Sequence, residues 1–297
     1  MQSFKKILVA NRGEIAIRLF RAATELGLRT VGVYSYEDRH SIHRYKADEA
    51  WMIGEAGEPL AAYLNIEAIL TIAKDRGVDA IHPGYGFLSE NAEFARRCSQ
   101  EGIVFVGPPA DVIDSLGDKL AARRIAIAAG VPVIPGTKDP LPDAEAAITW
   151  ANTHGYPVML KALYGGGGRG MRRAHNEAEL SEAFAAAHRE AKAAFGKGDL
   201  FLEKLVVRPR HIEVQVLGDR SGDVVHLFER DCSVQRRNQK VVEVAPALDL
   251  SDETRNGLYA DALRVARHAG LVNAATVEFL VAGDGSWYFI EVNPRLQ

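Results

Sequence analysis

Thr276-Val277-Glu278-Phe279-Leu280-Val281, followed by Ala282-Gly283-Asp284-Gly285-Ser286 and then Trp287-Tyr288-Phe289-Ile290-Glu291-Val292-Asn293-Pro294-Arg295, reads as a β-hairpin. Both arms alternate and are rich in β-branched or aromatic residues. Asp284-Gly285 is a strong two-residue turn signal, because glycine accepts a positive φ at little cost. With those two residues at the turn centre, Glu278 falls opposite Glu291. Like charges facing one another across a strand pair destabilise a sheet, so the arrangement asks for a cation. A divalent ion such as Mg2+ meets that need, since it takes carboxylate oxygens and commonly shares them with substrate phosphates. Asn293 lies on the same face as Glu291 and adds a neutral oxygen, and Arg295 follows on that face as a fixed cation. The plainer alternative is two surface carboxylates on an exposed strand pair.

If a metal sits there, something upstream must bring phosphates. The 297 residues allow one large or two modest domains, and 47% hydrophobic content is ample for a core. A net charge of −3 argues against a nucleic-acid binder. Cys98 and Cys232 lie far apart and match no metal spacing, which predicts free thiols in a reducing, cytoplasmic compartment. No run approaches a membrane span, and Met1 leads within a few residues into a strand, so neither a membrane segment nor a signal peptide is expected.

From the N-terminus, Lys5–Ala10 reads as a buried parallel strand, and Asn11-Arg12-Gly13-Glu14 hands over to an apolar-periodic helix closed by Gly27. Strand Thr30–Tyr34, a helix near Ile66–Ala73, strand Val78–Ile81, a helix near Asn91–Gln100 and strand Ile103–Val106 follow. Strands alternating with helices predict a Rossmann-like α/β unit with a covered parallel sheet. Its first βα turn lacks the Gly-x-Gly-x-x-Gly dinucleotide fingerprint, which disfavours an oxidoreductase. His82-Pro83-Gly84-Tyr85-Gly86 and Leu88-Ser89-Glu90-Asn91 lie beyond a strand's carboxyl end, where they read equally as site-lining loops or as a turn with a helix cap.

Gly107-Pro108-Pro109 punctuates this unit, and Gly117-Asp118-Lys119 opens a helix through Ala129, stopped by Gly130 and a non-helical stretch to Gly136. A lysine in a helix's first turn opposes the dipole preference for anions; solvated, Lys119 is unremarkable, but facing a phosphate it has better cause. Strand Pro157–Ala162 then runs into Gly165-Gly166-Gly167-Gly168-Arg169-Gly170. Four consecutive glycines let backbone N–H groups approach a polyphosphate, with Lys161 and Arg169 adding charge; a flexible linker is the alternative. No Lys-Ser/Thr follows, so the loop is not a P-loop.

An alanine-rich helix over Glu177–Ala194 and strand Leu200–Leu205 suggest a closing lid. His211–Val216 alternates, placing His211, Glu213 and Gln215 on one face, either in solvent or toward a site. Strand Val224–Phe228 leads into Glu229–Lys240, read as a loop with four cations in the eleven residues from Arg230. Such a run is either a solvated surface or a lined anion pocket. A helix near Ser251–Ala269 leads back to the hairpin.

Together, Gly117-Asp118-Lys119, Lys161 with Gly165–Gly170, Glu203-Lys204, His211-x-Glu213, Arg230-Asp231-Cys232-Ser233-x-Gln235-Arg236-Arg237, Lys240, Glu278 and Glu291-Val292-Asn293-x-Arg295 resemble the biotin carboxylases of the ATP-grasp superfamily. The similarity covers the whole chain, and Ala10–Glu14 and His82–Gly86 are specific to that group. Asn238, with Phe289–Pro294, looks most like the carboxylase region of pyruvate carboxylases. The resemblance implies residues 1–116 as a pre-ATP-grasp domain and 117–297 as an ATP-grasp domain, with a mobile lid over about 133–205.

It implies ATP held around Lys119, Lys161, Gly167, Gly168, Glu203, Lys204, Leu205, Val206, His211 and Asn238. Mg2+ or Mn2+ would sit on Glu278, Glu291 and Asn293, with bicarbonate and biotin by Lys240, Arg295, Gln297 and Gln235. The implied reaction is carboxylation of biotin through carboxyphosphate, with Lys240 and Arg295 as catalytic groups and Arg295 steadying a biotin enolate. Implied partners are biotin carboxyl carrier and carboxyltransferase domains or subunits and a second copy of the chain. Family members continue past the equivalent of Gln297 with Val-Glu-His, whose glutamate serves as base, and with the rest of the last domain. This sequence stops first, so an ATP-grasp domain incomplete at its C-terminal side, which binds nucleotide but lacks the base for turnover, is expected. Alternatives are a non-catalytic Mg-ATP-binding fragment and another ATP-grasp carboxylate–amine ligase.

Overall fold

The computed structural model describes residues 4–163, 171–236 and 239–297. Its first sheet is parallel throughout and is built from β1 (Lys6–Val9), β2 (Arg29–Tyr34), β3 (Glu49–Met52), β4 (Ala80–His82) and β5 (Val104–Phe105) in the order β3-β2-β1-β4-β5. Helices α1 (Gly13–Glu25), α2 (Pro59–Leu64), α3 (Ile66–Asp75) and α4 (Ala92–Gln100) complete this unit. Leu8, Val31, Val33 and Ile81 pack with Ile69, Leu70 and Phe94 on one side, while Val9 meets Ala16 and Phe20 on the other. Both faces are therefore buried, which is why the strands read as short apolar runs rather than as alternation. Strand β3 escapes that reading, because its Glu49-Ala50-Trp51-Met52 pairs only with β2 at the sheet edge.

Chain order reverses between β1 and β4, and the crevice beyond their carboxyl ends is where loops of such sheets meet ligands. Here Asn11 fills part of it, donating from Nδ2 to the carbonyls of Pro83 (2.7 Å) and Tyr85 (2.8 Å). Gly84 is required in this turn: its φ is +67°, and a Cβ would lie 2.9 Å from the Asn11 amide. Asn91 caps α4, accepting from the Phe94 N–H.

Helices α5 (Ala110–Gly117) and α6 (Lys119–Ala128) connect this unit to the rest, α6 being capped by the Asp118 carboxylate on the Ala121 N–H at 2.7 Å. Next comes a small antiparallel sheet, β7-β6-β8, made of β6 (Val158–Ala162), β7 (Arg172–Ala174) and β8 (Leu200–Lys204). Helices α7 (Ala144–His154) and α8 (Glu177–Phe195) cover it through Ala147, Ala151, Leu180 and Ala187. Gly167 and Gly168, like Asn238, lie outside the described residues.

The second five-stranded sheet is antiparallel, ordered β11-β10-β9-β12-β13, from β9 (Arg210–Gly218), β10 (Val224–Arg236), β11 (Gln239–Val244), β12 (Asn273–Val281) and β13 (Trp287–Asn293). Helix α9 (Asp252–His268) packs on it with Leu258, Ala262 and Val265. Two expectations change here. The stretch from Glu229 is not a loop: β10 continues through Arg236 and pairs with β11. A bulge between His226 and Glu229, with Phe228 at φ +63°, breaks the pattern, and beyond it the strand carries polar groups on both faces.

The hairpin turn also differs. Ala282 N–H donates to Ser286 O and Gly285 N–H to Ala282 O, closing a three-residue loop rather than a two-residue one. Val281 then faces Trp287 and Leu280 faces Tyr288, one position off the expected register. A compensating bulge at Ile290 restores it, so that Glu278 still faces Glu291 and Thr276 faces Asn293. Among the described residues, no helix is long and apolar enough to cross a membrane.

Candidate active site

Three carboxylates stand in line across adjacent strands. Glu213 of β9 is directly opposite Glu278 of β12, which is directly opposite Glu291 of β13, and Arg230 of β10 faces Glu213 from the other side. Glu213 is wholly buried and Glu278 is 3% exposed, so each needs partners that replace water. Arg230 donates from Nε to Glu213, and Lys240 bridges the first two carboxylates, 2.5 Å from Glu213 Oε2 and 2.6 Å from Glu278 Oε1. Asn293 adds its Nδ2 to Glu278 Oε1 at 2.7 Å.

His211 meets the other Glu278 oxygen at 2.5 Å through Nε2, while its Nδ1 lies 2.9 Å from the Gln235 amide nitrogen. Since that nitrogen is a donor, Nδ1 accepts and Nε2 carries the proton. Gln235, which also donates to the Cys232 carbonyl, thereby fixes the tautomer.

The facing pair is electrostatically unequal. Burial works to raise the Glu278 carboxyl, but the bond from His211 and the charge of Lys240 win and hold it well below the usual range. Glu291 goes the other way, raised by burial and then by the charge of Glu278, with Lys119 and Lys161 opposing. Glu291 is thus the carboxylate of the pair whose ionised form its surroundings disfavour. With Glu278 and Asn293 beside it on one face, the donor set is all oxygen, which suits a hard divalent ion. The residues present therefore fit a metal.

A second cluster approaches from α6 and the small sheet. Lys119 lies in the first turn of α6, where burial lowers its ammonium and Glu291 acts against that shift. Lys161 donates to Glu203, a buried carboxylate that also accepts from Arg123 at 3.2 Å. Lys204 turns away, giving its ammonium to the Gly155 carbonyl at 2.7 Å. Leu205 donates its N–H to the Pro157 carbonyl, and Val206 follows, half-buried.

Arg295 joins the two units: its Nε lies 3.4 Å from Glu90, and its Nη1 donates to Gln297 and the Leu296 carbonyl. The Leu88–Asn91 stretch therefore both caps α4 and reaches this side of the molecule. Glu213 and Arg230 went unassigned as site residues, although the alternation His211-x-Glu213-x-Gln215 carried a signal for the first. Nothing in the helical pattern of α6 marks Arg123. Glu213, Cys232 and Glu243 also approach one another, but Arg230 and Lys240 already neutralise Glu213, and burial pushes the Cys232 thiol up to about 12, so this trio offers no metal site. Cys98 and Cys232 are buried free thiols.

Residues 3–113 match the family described as Biotin carboxylase, N-terminal domain, and residues 118–297 match Carbamoyl-phosphate synthase L chain, ATP binding domain. Pyruvate carboxylase of Bacillus subtilis (strain 168) is 59% identical over 296 residues, covering 100% of this chain and 26% of that protein. Mitochondrial pyruvate carboxylase of Rattus norvegicus is 57% identical over 293 residues, covering 99% and 25%. The chain thus spans about a quarter of the length of the curated relatives it matches.

Among solved structures, the biotin carboxylase domain dimer of Hydrogenobacter thermophilus 2-oxoglutarate carboxylase, in complex with MgADP, ADP and bicarbonate, superposes with a TM-score of 0.95 at 51% identity, covering 100% of this chain and 65% of that one. The Campylobacter jejuni biotin carboxylase–β-γ-ATP complex gives 0.96 at 47% identity, covering 99% and 66%. The row of carboxylates, the cations set against it and these matches lead to one assignment: the chain belongs to the biotin carboxylases of the ATP-grasp superfamily, and it is similar to the N-terminal region of pyruvate carboxylases.

Proposed function

We propose that this chain is the biotin carboxylase part of a biotin-dependent carboxylase of the pyruvate carboxylase kind, using ATP and bicarbonate to carboxylate biotin on a carrier domain through carboxyphosphate. The observation that carries the proposal is the line Glu213, Glu278, Glu291, with Lys240 bridging the first pair and Asn293 beside the second. Glu278, Glu291 and Asn293 would hold Mg2+ or Mn2+, which when bound supplies positive charge shared with phosphate oxygens.

Lys119 and Lys161 bring cationic charge to the side where phosphoryl charge develops. Lys240 and Arg295 present cations to bicarbonate and to the biotin ureido group, near Gln235 and Gln297. His211, locked by Gln235, steadies Glu278 on the metal side. In this reading residues 1–116 and 117–297 are the two domains, and 133–205 closes over the nucleotide, with Gly167, Gly168, Glu203, Lys204, Leu205, Val206 and Asn238 around it. Carrier and carboxyltransferase domains or subunits, a second copy of the chain, and a cytoplasmic setting complete it. The matched MgADP and bicarbonate complex supports the ligand choice.

The test is ADP release from Mg-ATP in the presence of biotin, with and without bicarbonate. Release that needs bicarbonate, yields carboxybiotin and disappears in Glu291→Gln is expected. Release untouched by that substitution would refute the metal assignment. Tight Mg-ATP binding without turnover would favour a non-catalytic nucleotide binder, and biotin-independent amide formation another ligase of the superfamily.

A further inference from the structure

Both oxygens of the buried Glu203 are taken by cations from different elements. Lys161 of β6 donates to Oε2, and Arg123 of α6 donates from Nη1 to Oε1 at 3.2 Å. Arg123 is itself 8% exposed, and its Nη2 donates to the Ile134 carbonyl. Ile134 opens the segment that runs along β8, where Gly136 bridges to Glu203 and Thr137 N–H donates to Leu202 O at 2.8 Å. The guanidinium is therefore pinned at two points. Lys161 carries its charge on a flexible stem whose ammonium sits 5.9 Å above the Phe201 ring.

Resting on the nucleotide reading above, we infer that Arg123 is a positioning residue: it is the resident counter-ion of Glu203 that lets Lys161 leave for a nucleotide phosphate. Pulling a lysine from a buried carboxylate with no second partner strands an uncompensated charge, which is heavily penalised. With Arg123 in place, Glu203 keeps a charge-assisted hydrogen bond throughout, and Lys161 exchanges one anion for another. Arginine suits the role because it stays charged in every environment the site presents. Arg123 thus acts on phosphate through Lys161 without touching the nucleotide.

The experiment is a calorimetric titration of the full chain with Mg-ATP, run as a double-mutant cycle of R123M, E203Q and the two combined, with R123K alongside. We expect Kd to rise about tenfold in R123M, the order of one charge-assisted hydrogen bond, and to rise less in R123K. In the E203Q background, adding R123M should change Kd by less than about twofold, because no carboxylate is left to compensate. Equal Kd for the parent chain and R123M overturns the inference, as does a loss of the same size in both backgrounds, which would make Arg123 a scaffold residue. If R123M does not fold, R123K carries the same cycle. A parent chain that does not bind Mg-ATP at all would refute the nucleotide reading itself, and the inference with it.

Discussion

Replacing Lys240 by methionine is the sharpest probe of the carboxylate row. The ammonium lies 2.5 Å from Glu213 and 2.6 Å from Glu278, and both carboxylates are buried. Removing one partner of a buried ion pair typically costs about 3–5 kcal/mol. Each carboxylate keeps another donor, Arg230 for Glu213, and His211 with Asn293 for Glu278. The loss should therefore fall near the lower end, about 3 kcal/mol at pH 7. Urea denaturation followed by circular dichroism measures it, and with a slope of about 3 kcal/mol/M the midpoint should drop by about 1 M. The pH dependence follows from Glu278. Its folded pKa is depressed, so its ionised form stabilises the parent chain above the unfolded carboxyl range, and that stability is lost as pH falls through the folded value. Lys240, raised in the fold, is charged across this window and adds no slope of its own. In K240M the depression of Glu278 weakens, so the gap between the two proteins should hold from pH 7 down to the carboxyl range and narrow below it, as pH falls toward the parent's folded value of about 2. A gap under about 0.5 kcal/mol at pH 7 would refute the bridging role of this lysine.

Glu291→Gln should stabilise the metal-free chain at pH 7, because burial and the charge of Glu278 raise this carboxyl and its ionised form destabilises the fold above the unfolded carboxyl range. In the same variant the rise in melting temperature that Mg2+ gives the parent chain should disappear, and a melt that responds to Mg2+ equally in both would contradict the metal assignment. Phe279→Ala, at a wholly buried position beside Phe289, should cost about 3–5 kcal/mol in urea unfolding. Asp118→Ala removes the cap of α6 and should cost about 1 kcal/mol, read as a lower thermal midpoint. Gly257→Ala places a Cβ 2.4 Å from the Trp287 ring, so it should cost about 1–3 kcal/mol and shift tryptophan emission; unchanged emission would mean the ring is not seated there.

Where one physical rule dominates, the sequence is transparent. Leu8, Val31, Val33 and Ile81 are buried on a two-faced sheet, and short apolar runs between helices say so. The facing of Glu278 and Glu291 was legible as well, but through two offsetting departures: a three-residue loop shifts the register by one, and the extra residue Ile290 shifts it back. Strand β10 was not legible beyond Phe228, because Arg230, Asp231 and Gln235 find their partners inside the protein, so the polar residues that look like a solvated loop are paired strand residues. Glu213 illustrates the same limit, since alternation shows which residues share a face but not whether that face meets water. Arg123 is invisible for another reason: its partner Glu203 is eighty positions away, and nothing local in α6 distinguishes a buried cation from an exposed one.

The contact between Arg295 and Glu90 sets an order of events during synthesis. The parallel sheet draws on residues that leave the ribosome early, and its strands can associate while the remainder is still being made. Arg295 follows β13, so its link to the Leu88–Asn91 loop must wait until just over two hundred further residues have been translated. Closing so large a loop carries an entropic penalty that grows only slowly with length, so the delay is one of availability rather than of energy. The nascent chain would hold a folded parallel-sheet unit beside an unassembled candidate site, and ligand-dependent protection from proteolysis would first appear only after β13 has emerged.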